Sequence, residues 1–170
     1  DIGTGAGNIA ISIAKNAPDI KIIAIDISSK ALKVAKLNAK LHKVEGKIIF
    51  IKSNLISSLK NTILTRPLNN CIFVSNLPYI PSQRIPYLDS SVKDYEPHIA
   101  LNGGDDGFKL YRKLFQQISQ LGWKPSLIVG EIDYTHGELA VDEATKFFPE
   151  AKIEVKTDLT HKQRILIIQM

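Results

Sequence analysis

Apolar residues in the first half of this chain alternate between β-branched runs and stretches with helical spacing. The runs at 21–26 (KIIAID), 47–52 (KIIFIK) and 71–74 (CIFV) predict buried strands. Apolar positions three and four residues apart predict one helix over 9–16 and another from Ser28 or Ser29 to about His42, stopped by Gly46. Residues 56–70 are mixed and polar and predict a short helix and a loop.

The second half opens on the longest stretch without periodicity, residues 80–104, which contains several prolines and glycines. A loop of this length in a compact domain is usually functional or a lid. The elements predicted after it are a helix from Asp105 or Asp106 to Leu121 ended by Gly122, a strand over 126–132, a helix over 136–148, and strands over 153–156 and 165–169. The stripe Phe108, Tyr111, Leu114, Phe115 and Ile118 predicts the buried face of the first of these helices.

The order of these elements predicts an α/β fold. Strands that alternate with helices form a mostly parallel sheet covered on both faces. The last two strands have no helix between them, so we expect them to pair as a carboxyl-terminal antiparallel hairpin. Residue 1 already lies inside a glycine motif with no strand before it. We therefore expect 1–170 to be one catalytic domain of an amino-terminally truncated chain, with the first strand missing.

Composition narrows the class of protein only slightly. The chain has 170 residues, a net charge of +5 and scattered lysines, which permit an acidic partner without requiring one. A single cysteine, Cys71, forms no internal disulfide and reads as a small buried hydrophobe, which suits a reducing, cytoplasmic compartment. No apolar stretch reaches the roughly 18 residues that span a bilayer, so no membrane contact is expected. The four histidines lack metal-ligand spacing, so we predict no metal site.

A glycine-rich turn at the start of the chain carries the first candidate chemistry. Residues 1–7 read D-x-G-x-G-x-G, a helix follows, and the next strand ends in Asp26. Glycines let the backbone pass close beneath a ligand, and an acid at the end of the next strand can accept both ribose hydroxyls. Nucleotide dehydrogenases and enzymes that use S-adenosylmethionine share this layout. The spacing differs from the G-x-G-x-x-G of dinucleotide sites.

The second candidate site is Asn76-Leu77-Pro78-Tyr79, directly after the third predicted strand. The Asn76 side chain offers an acceptor, and the Leu77 carbonyl offers another because a residue before proline is extended. Tyr79 provides a flat face. Together these groups can hold a planar NH2 group, either the exocyclic amine of a nucleobase or a side-chain carboxamide.

Taken together, the glycine turn, Asp26 and the Asn76–Tyr79 segment resemble the class I S-adenosylmethionine-dependent methyltransferases. The resemblance implies a Rossmann-like sheet and S-adenosylmethionine as cofactor. It implies that Asn54 accepts a hydrogen bond from the adenine amino group. The cofactor-binding residues implied are Asp1, Gly3, Thr4, Gly5, Gly7, Asp26, Ile27, Asn54, Leu55 and Asn76.

Within this class, two families fit different parts of the chain. The spelling Asn-Leu-Pro-Tyr resembles the ribosomal RNA adenine dimethyltransferases. The E-P-x-x-A-L at 96–101, the G-G-x-D-G at 103–107, Tyr111-Arg112, Glu131-Ile132 and the terminal hairpin resemble the release-factor glutamine methyltransferases. The second resemblance covers nearly the whole chain in order. It implies methylation of the side-chain amide nitrogen of the Gln in the Gly-Gly-Gln loop of class I peptide release factors.

In that reading Asn76, Leu77, Pro78 and Tyr79 form the catalytic motif. Leu77 stands where the family most often has proline, and Asn54 stands where it usually has aspartate. A class I release factor is the expected partner, with no direct nucleic-acid contact and a monomeric state. Three alternatives stay open: a ribosomal protein glutamine methyltransferase, a ribosomal RNA adenine N6-methyltransferase, and a non-catalytic module that binds S-adenosylmethionine.

Overall fold

The computed structural model describes residues 1–59 and 71–170. Its strands are β1 (Ile22–Asp26), β2 (Ile48–Lys52), β3 (Ile72–Ser75), β4 (Leu127–Glu131), β5 (Lys152–Thr157) and β6 (Gln163–Gln169). Its α-helices are α1 (Asn8–Asn16), α2 (Ser29–Leu41), α3 (Ser90–Lys93), α4 (His98–Leu101), α5 (Lys109–Leu121) and α6 (Gly137–Phe147). Short 3₁₀ helices cover Glu45–Lys47 and Ser82–Tyr87.

The described residues form two compact units. The first unit contains 1–59 and 73–75, and the second contains 71–72 and 76–170. Each unit holds one of the two candidate motifs, and each is described by itself below. The expectation of a single catalytic domain over 1–170 stays a prediction.

The sheet of the first unit is parallel. Strands β1 and β2 pair in register from Ile22 with Ile48 to Asp26 with Lys52. Ile2 forms parallel bridges with both Ile25 and Ser75. The carboxyl ends of these paired segments therefore lead directly into the glycine turn and the residues after β1.

Helices α1 and α2 are amphipathic, as their apolar spacing predicts, and they bury that face against the sheet. The core formed there contains Ala10, Ile11, Ala14, Ile22, Ala24, Ala39, Val44 and Ile48. Helix α2 begins at the predicted cap, because the Ser28 hydroxyl accepts a hydrogen bond from the Ala31 amide at 3.2 Å.

In the second unit the sheet is antiparallel. The register joins Glu131 of β4 to Ile165 of β6, and Lys156 of β5 to the same residue. This confirms the predicted hairpin at 153–156 and 165–169, and β4 extends it on the other side of β6. The α/β fold with its parallel strands and antiparallel end is thus confirmed.

Helix α5 supplies the core of the second unit. The predicted stripe from Phe108 to Ile118 is fully buried. The rings of Phe115 and Phe148 meet edge to face with centroids 5.3 Å apart. Gly122 ends the helix in the left-handed conformation at φ 63°, as predicted.

Four details of the sequence-based assignment were wrong. Helix α2 ends at Leu41 with His42 as its cap, close to the predicted end, but Gly46 does not stop it, because Gly46 lies inside the short 3₁₀ turn that follows. Helix α5 begins at Lys109, because the Asp106 carboxylate accepts from the Phe108 amide at 3.0 Å and stabilises a turn ahead of the helix.

The region 80–104, expected to be irregular, contains three short helices too brief for a periodic signal. Ile72 was expected to be buried with its strand, yet 54% of it is exposed and Cys71 is half-buried. The predicted helix and loop at 56–70 lie for the most part outside the described residues.

Among residues 1–59 and 71–170, no helix combines the length and the apolar character needed to cross a membrane.

Candidate functional site

The glycine turn of the first unit is organised by the Asp1 carboxylate. Its Oδ2 accepts a hydrogen bond from the Thr4 hydroxyl at 2.6 Å and from the Ala10 amide at 3.1 Å. The amides of Gly3 and Thr4 both donate to the Ile25 carbonyl at 2.8 Å. The turn is thus fixed by its own first residue and by the end of β1.

Glycine is required where the turn enters α1. Gly7 has φ 90°, in the left-handed region that residues with a Cβ avoid. A Cβ there would lie 3.1 Å from Ile11 Cδ1 and 3.2 Å from Ala35 Cβ. The chain passes Ala35 of α2 so closely that any side chain would have to push the two helices apart.

Asp26 closes the turn from the other side. Its Oδ2 accepts from the Gly5 amide at 2.9 Å and its Oδ1 accepts from the Ser28 amide at 2.7 Å. A carboxylate offers about four lone-pair sites, so each oxygen keeps capacity for one further donor. These free acceptor sites fit a ribose diol, whose two hydroxyls donate hydrogen bonds, and this is the group that the sequence predicts for Asp26.

Asn54 and Leu55 follow the end of β2 in the same unit. The Ser53 amide donates to the Asp26 carbonyl at 3.0 Å, which places the start of this loop beside the end of β1. Asn54 is exposed, and Leu55 is buried with φ 55°, an unusual left-handed conformation for a branched residue. Ile27 is 45% exposed. The first unit thereby collects the predicted cofactor residues from Asp1 to Leu55 around one end of its parallel strands.

The second unit contains the other motif, Asn76-Leu77-Pro78-Tyr79. Asn76 is exposed, and no hydrogen bond joins its side-chain amide to another residue in the described part of the chain. Leu77, by contrast, is buried with 3% of its surface exposed. An apolar side chain is therefore accommodated at the position where the resembling family most often has proline. Pro78 is half-buried.

Tyr79 is held at its hydroxyl. The Tyr79 hydroxyl donates to Glu131 Oε1 at 3.0 Å, and Arg164 Nη1 donates to the same hydroxyl oxygen at 3.4 Å. Burial of the ring raises the pKa of the Tyr79 phenol, and the nearby Glu131 charge raises it further. The side chain is therefore a neutral phenol over the physiological range.

The backbone after Tyr79 pairs with the G-G-x-D-G loop. Ile80 forms a parallel bridge with Asn102, and the Gly103 amide donates to the Ile80 carbonyl at 2.9 Å. Gly107 has φ 80°, and a Cβ there would lie 2.2 Å from the Tyr79 carbonyl oxygen. The loop therefore covers Tyr79 at a distance that only glycine permits.

An ionic network anchors this loop to the helices of the second unit. Arg112 of α5 binds both oxygens of the Asp106 carboxylate, and its Nε lies 3.1 Å from Glu143 Oε2 on α6. The hydrogen bonds from Arg112 lower the pKa of Asp106 to about 2. They also raise the pKa of the guanidinium. A planar fork that serves two carboxylates fixes the loop just before Gly107.

A buried histidine lies on the far side of the same glycine. His136 is 6% exposed, and the Gly107 Cβ position is 2.6 Å from its Cε1. Its Nδ1 has no hydrogen-bond partner among the described residues, and burial lowers the pKa of the ring. Next to it, the Asp133 carboxylate pairs with Arg84 at 3.3 Å. A neutral imidazole therefore packs against the loop.

Three contacts of the second unit were missed by the sequence analysis: those of Glu131 and Arg164 with Tyr79, and that of Arg112 with Asp106. Asp106, Arg112 and Glu131 lie in segments that carry the family resemblance, but no spacing rule connects Tyr79 with residues 52 and 85 positions away. Among the described residues, no group of three or more histidine, cysteine or acidic side chains is arranged to hold a metal ion.

Known proteins resemble the chain in both sequence and fold. The Methyltransferase small domain family model matches residues 1–75. A release factor glutamine methyltransferase from Dictyoglomus turgidum is 39% identical over 98% of this chain and 57% of its own length. One from Bacillus cereus is 34% identical over 100% of this chain and 58% of its own length. The chain thus spans less than two thirds of the length of these curated relatives.

Among solved structures, a ribosomal protein L11 methylase from Lactobacillus delbrueckii subsp. bulgaricus has a TM-score of 0.65 at 18% identity, covering 99% of this chain and 67% of that chain. The fold is that of the class I methyltransferases. Within that class, the chain is similar over nearly its whole length to the release factor glutamine methyltransferases.

Proposed function

We propose that the protein transfers a methyl group from S-adenosylmethionine to the side-chain amide nitrogen of the glutamine in the Gly-Gly-Gln loop of class I peptide release factors. The observation that carries the proposal is the exposed amide of Asn76 directly after β3, which has no hydrogen-bond partner among residues 1–59 and 71–170. Its curated relatives, named release factor glutamine methyltransferases, support the choice of acceptor.

The first unit supplies the groups expected to bind the cofactor. The Asp26 carboxylate accepts hydrogen bonds from the ribose hydroxyls, using the lone pairs that are not already taken by the Gly5 and Ser28 amides. The glycine turn allows close approach of the backbone, and the Asn54 side-chain oxygen accepts from the adenine amino group. When bound, S-adenosylmethionine provides an electrophilic methyl on a sulfonium.

The second unit supplies the groups expected to hold the acceptor. An amide nitrogen is a poor nucleophile because its lone pair is delocalised into the carbonyl. The Asn76 side-chain oxygen and the Leu77 carbonyl accept its two N–H bonds and turn the nitrogen toward the methyl. Tyr79 packs on the plane of the amide. The rate enhancement comes from positioning and from dipoles aimed at the developing positive charge.

No side chain is needed as an essential base in this scheme. The C–N bond forms as the C–S bond breaks, and the product nitrogen then loses its proton to water. The neutral phenol of Tyr79 is consistent with a packing role, because its raised pKa keeps the hydroxyl protonated at neutral pH, so that no phenolate is present to act as a base.

Within the first unit, the start of the glycine turn lies beside the end of β3, because Ile2 forms a parallel bridge with Ser75. Ligands of parallel sheets bind at the carboxyl ends of the strands. We further propose that the protein acts as a cytoplasmic monomer on a protein acceptor, without direct contact to nucleic acid.

The test is methyl transfer from labelled S-adenosylmethionine to a mixture of a class I release factor and ribosomes, followed by mapping of the labelled residue. Label on the Gly-Gly-Gln glutamine is expected. Label on a ribosomal protein glutamine or on ribosomal RNA adenine would overturn the choice of acceptor. Cofactor binding without transfer to any acceptor would overturn the enzymatic proposal.

A further inference from the structure

Within the Asn76–Tyr79 motif, the side chain of Tyr79 forms hydrogen bonds to residues that are distant in sequence. Its hydroxyl donates to Glu131 Oε1 at 3.0 Å and accepts from Arg164 at 3.4 Å. A phenol has a single O–H to donate, and Glu131 takes it. The hydroxyl is therefore not free to donate to a substrate.

Glu131 is itself rigidly placed. It is the last residue of β4, and its backbone carbonyl accepts from the fully buried Tyr111 hydroxyl at 2.6 Å. It faces Ile165 across the β4–β6 register. Arg164 immediately precedes Ile165, and its backbone carbonyl accepts a hydrogen bond from the Ile132 amide at 2.9 Å. The two residues that meet the Tyr79 hydroxyl thus belong to adjacent strands of one antiparallel pair.

The opposite end of Tyr79 is fixed by the loop. Gly107 packs against the Tyr79 carbonyl so closely that a Cβ would overlap it. The backbone of Ile80 is bound on both sides, to Leu101 at 3.1 Å and to Gly103 at 2.9 Å. A ring held at its hydroxyl and at its backbone has little freedom to rotate about either side-chain torsion.

We propose that Glu131 is a positioning residue that fixes the plane of the Tyr79 ring, so that Tyr79 meets the planar acceptor amide with its face and not with its hydroxyl. The inference rests on the proposed function, because the acceptor amide is defined there. It assigns Glu131 a role in the orientation of the acceptor rather than in cofactor binding or proton transfer.

The contact is tested first without any reaction. In the intact protein labelled with ¹³C at the tyrosine Cζ, the Tyr79 signal is assigned from its loss in Tyr79→Phe. Its titration midpoint is expected to fall in Glu131→Gln, which removes the charge that raises the Tyr79 pKa and keeps an acceptor oxygen. A Tyr79 signal unchanged by Glu131→Gln would overturn the proposal.

Kinetics on the glutamine acceptor then test the role. Glu131→Ala is expected to lower kcat by about tenfold to a hundredfold, the range for loss of a hydrogen bond to a charged group and for misplaced reactants. The dissociation constant for S-adenosylmethionine should change less than about twofold, because a positioning contact adds nothing to ground-state cofactor binding. Glu131→Gln should restore most of kcat, and Glu150→Ala, at an exposed glutamate, serves as control.

The double variant separates positioning from a general loss of structure. Tyr79→Phe keeps the ring face and removes the O–H, so it should reproduce the Glu131→Ala loss, and Tyr79→Phe with Glu131→Ala should be no worse than either. Additive losses, or full activity in Glu131→Ala, would overturn the proposal. A wild-type protein that methylates no glutamine would defeat the proposed function, and the Tyr79 signal would still decide whether Glu131 positions the ring.

Discussion

The glycine turn of the first unit and the Asn76–Tyr79 segment of the second are held in place in different ways. The turn is fixed by near neighbours: Asp1 binds Thr4, and Asp26 binds Gly5 from 21 residues away. Tyr79 is fixed by partners 52 and 85 residues away. One site is thus built from a strand, a turn and the next strand, whereas the other depends on the completed antiparallel sheet.

Because of this difference, we expect the two sites to respond to different substitutions. A site made of local backbone hydrogen bonds responds to changes in its own few residues. A site fixed by distant partners also responds to changes far from it in sequence.

Asn76→Ala should abolish transfer while leaving the first unit's function intact. Loss of an acceptor that orients the reacting nitrogen should lower kcat by about 100-fold or more, by analogy with removal of a single group that stabilises a transition state. The affinity for S-adenosylmethionine should stay within about threefold, since removal of a group used only in the transition state spares ground-state binding. Turnover assays and calorimetry measure the two quantities, with Asn16→Ala as control. Equal turnover in Asn76→Ala would refute the role assigned to Asn76.

Gly107→Ala should destabilise the second unit more than a left-handed glycine alone would explain. The added Cβ meets the Tyr79 carbonyl and His136, so we expect a loss of about 2–4 kcal/mol in the free energy of unfolding from overpacking and backbone strain. Chemical denaturation measures it.

The matched control is Gly122→Ala. That residue has φ 63° with nothing within 4 Å of the Cβ position, so only the left-handed strain of roughly 1 kcal/mol remains. Equal losses in the two variants would mean that the loop does not press on Tyr79.

Asp26→Ala should weaken cofactor binding through a purely local change. The variant loses the acceptor for the Gly5 amide and for the ribose hydroxyls, and we expect the dissociation constant to rise by about tenfold or more. Calorimetric titration with S-adenosylmethionine measures it. Asp19→Ala, at an exposed aspartate, should bind like wild type. An unchanged affinity in Asp26→Ala would remove Asp26 from the cofactor site.

The smallest expected effect is the acid dependence of the loop anchor. Arg112 lowers the pKa of Asp106 from 3.8 to about 2, so the stabilisation is complete above about pH 5 and is lost as the pH falls through 2. Because Asp106 is 45% exposed, it should amount to less than about 1 kcal/mol. The stability difference between wild type and Asp106→Asn, measured from about pH 6 to pH 2, should shrink toward zero. A constant difference would contradict the assignment.

Most of the geometry of the glycine turn could be predicted from the sequence, because the turn is formed by residues close together in the chain. Glycines at 3, 5 and 7 and an acid after the next strand imply a backbone turn whose φ values, 76°, 56° and 90°, only glycine adopts readily. The same locality made Ser28 recognisable as a helix cap. The predicted start of α5 was wrong because Asp106 resembles a helix cap in sequence. In the structure the Arg112 guanidinium binds Asp106 and holds it in a turn ahead of the helix.

The contacts that hold Tyr79 in the second unit could not be predicted in the same way. Nothing in the spacing of residues 79, 131 and 164 reveals that a phenol, a carboxylate and a guanidinium meet, because strand pairing brings them together only after the sheet forms. The short helices between 80 and 104 escaped detection for a related reason. Helices of four residues have too few turns to display a period.

The way the G-G-x-D-G loop is attached also sets where this protein tolerates mutation. The loop contacts Tyr79 and Ile80 through backbone atoms, and this close approach is possible because Gly103 and Gly107 have no side chain. Randomising either glycine in a directed-evolution library should therefore yield mostly unfolded variants. The exposed residues between 87 and 99 carry no such constraint. A mutational library should therefore place its diversity there and leave the glycines untouched.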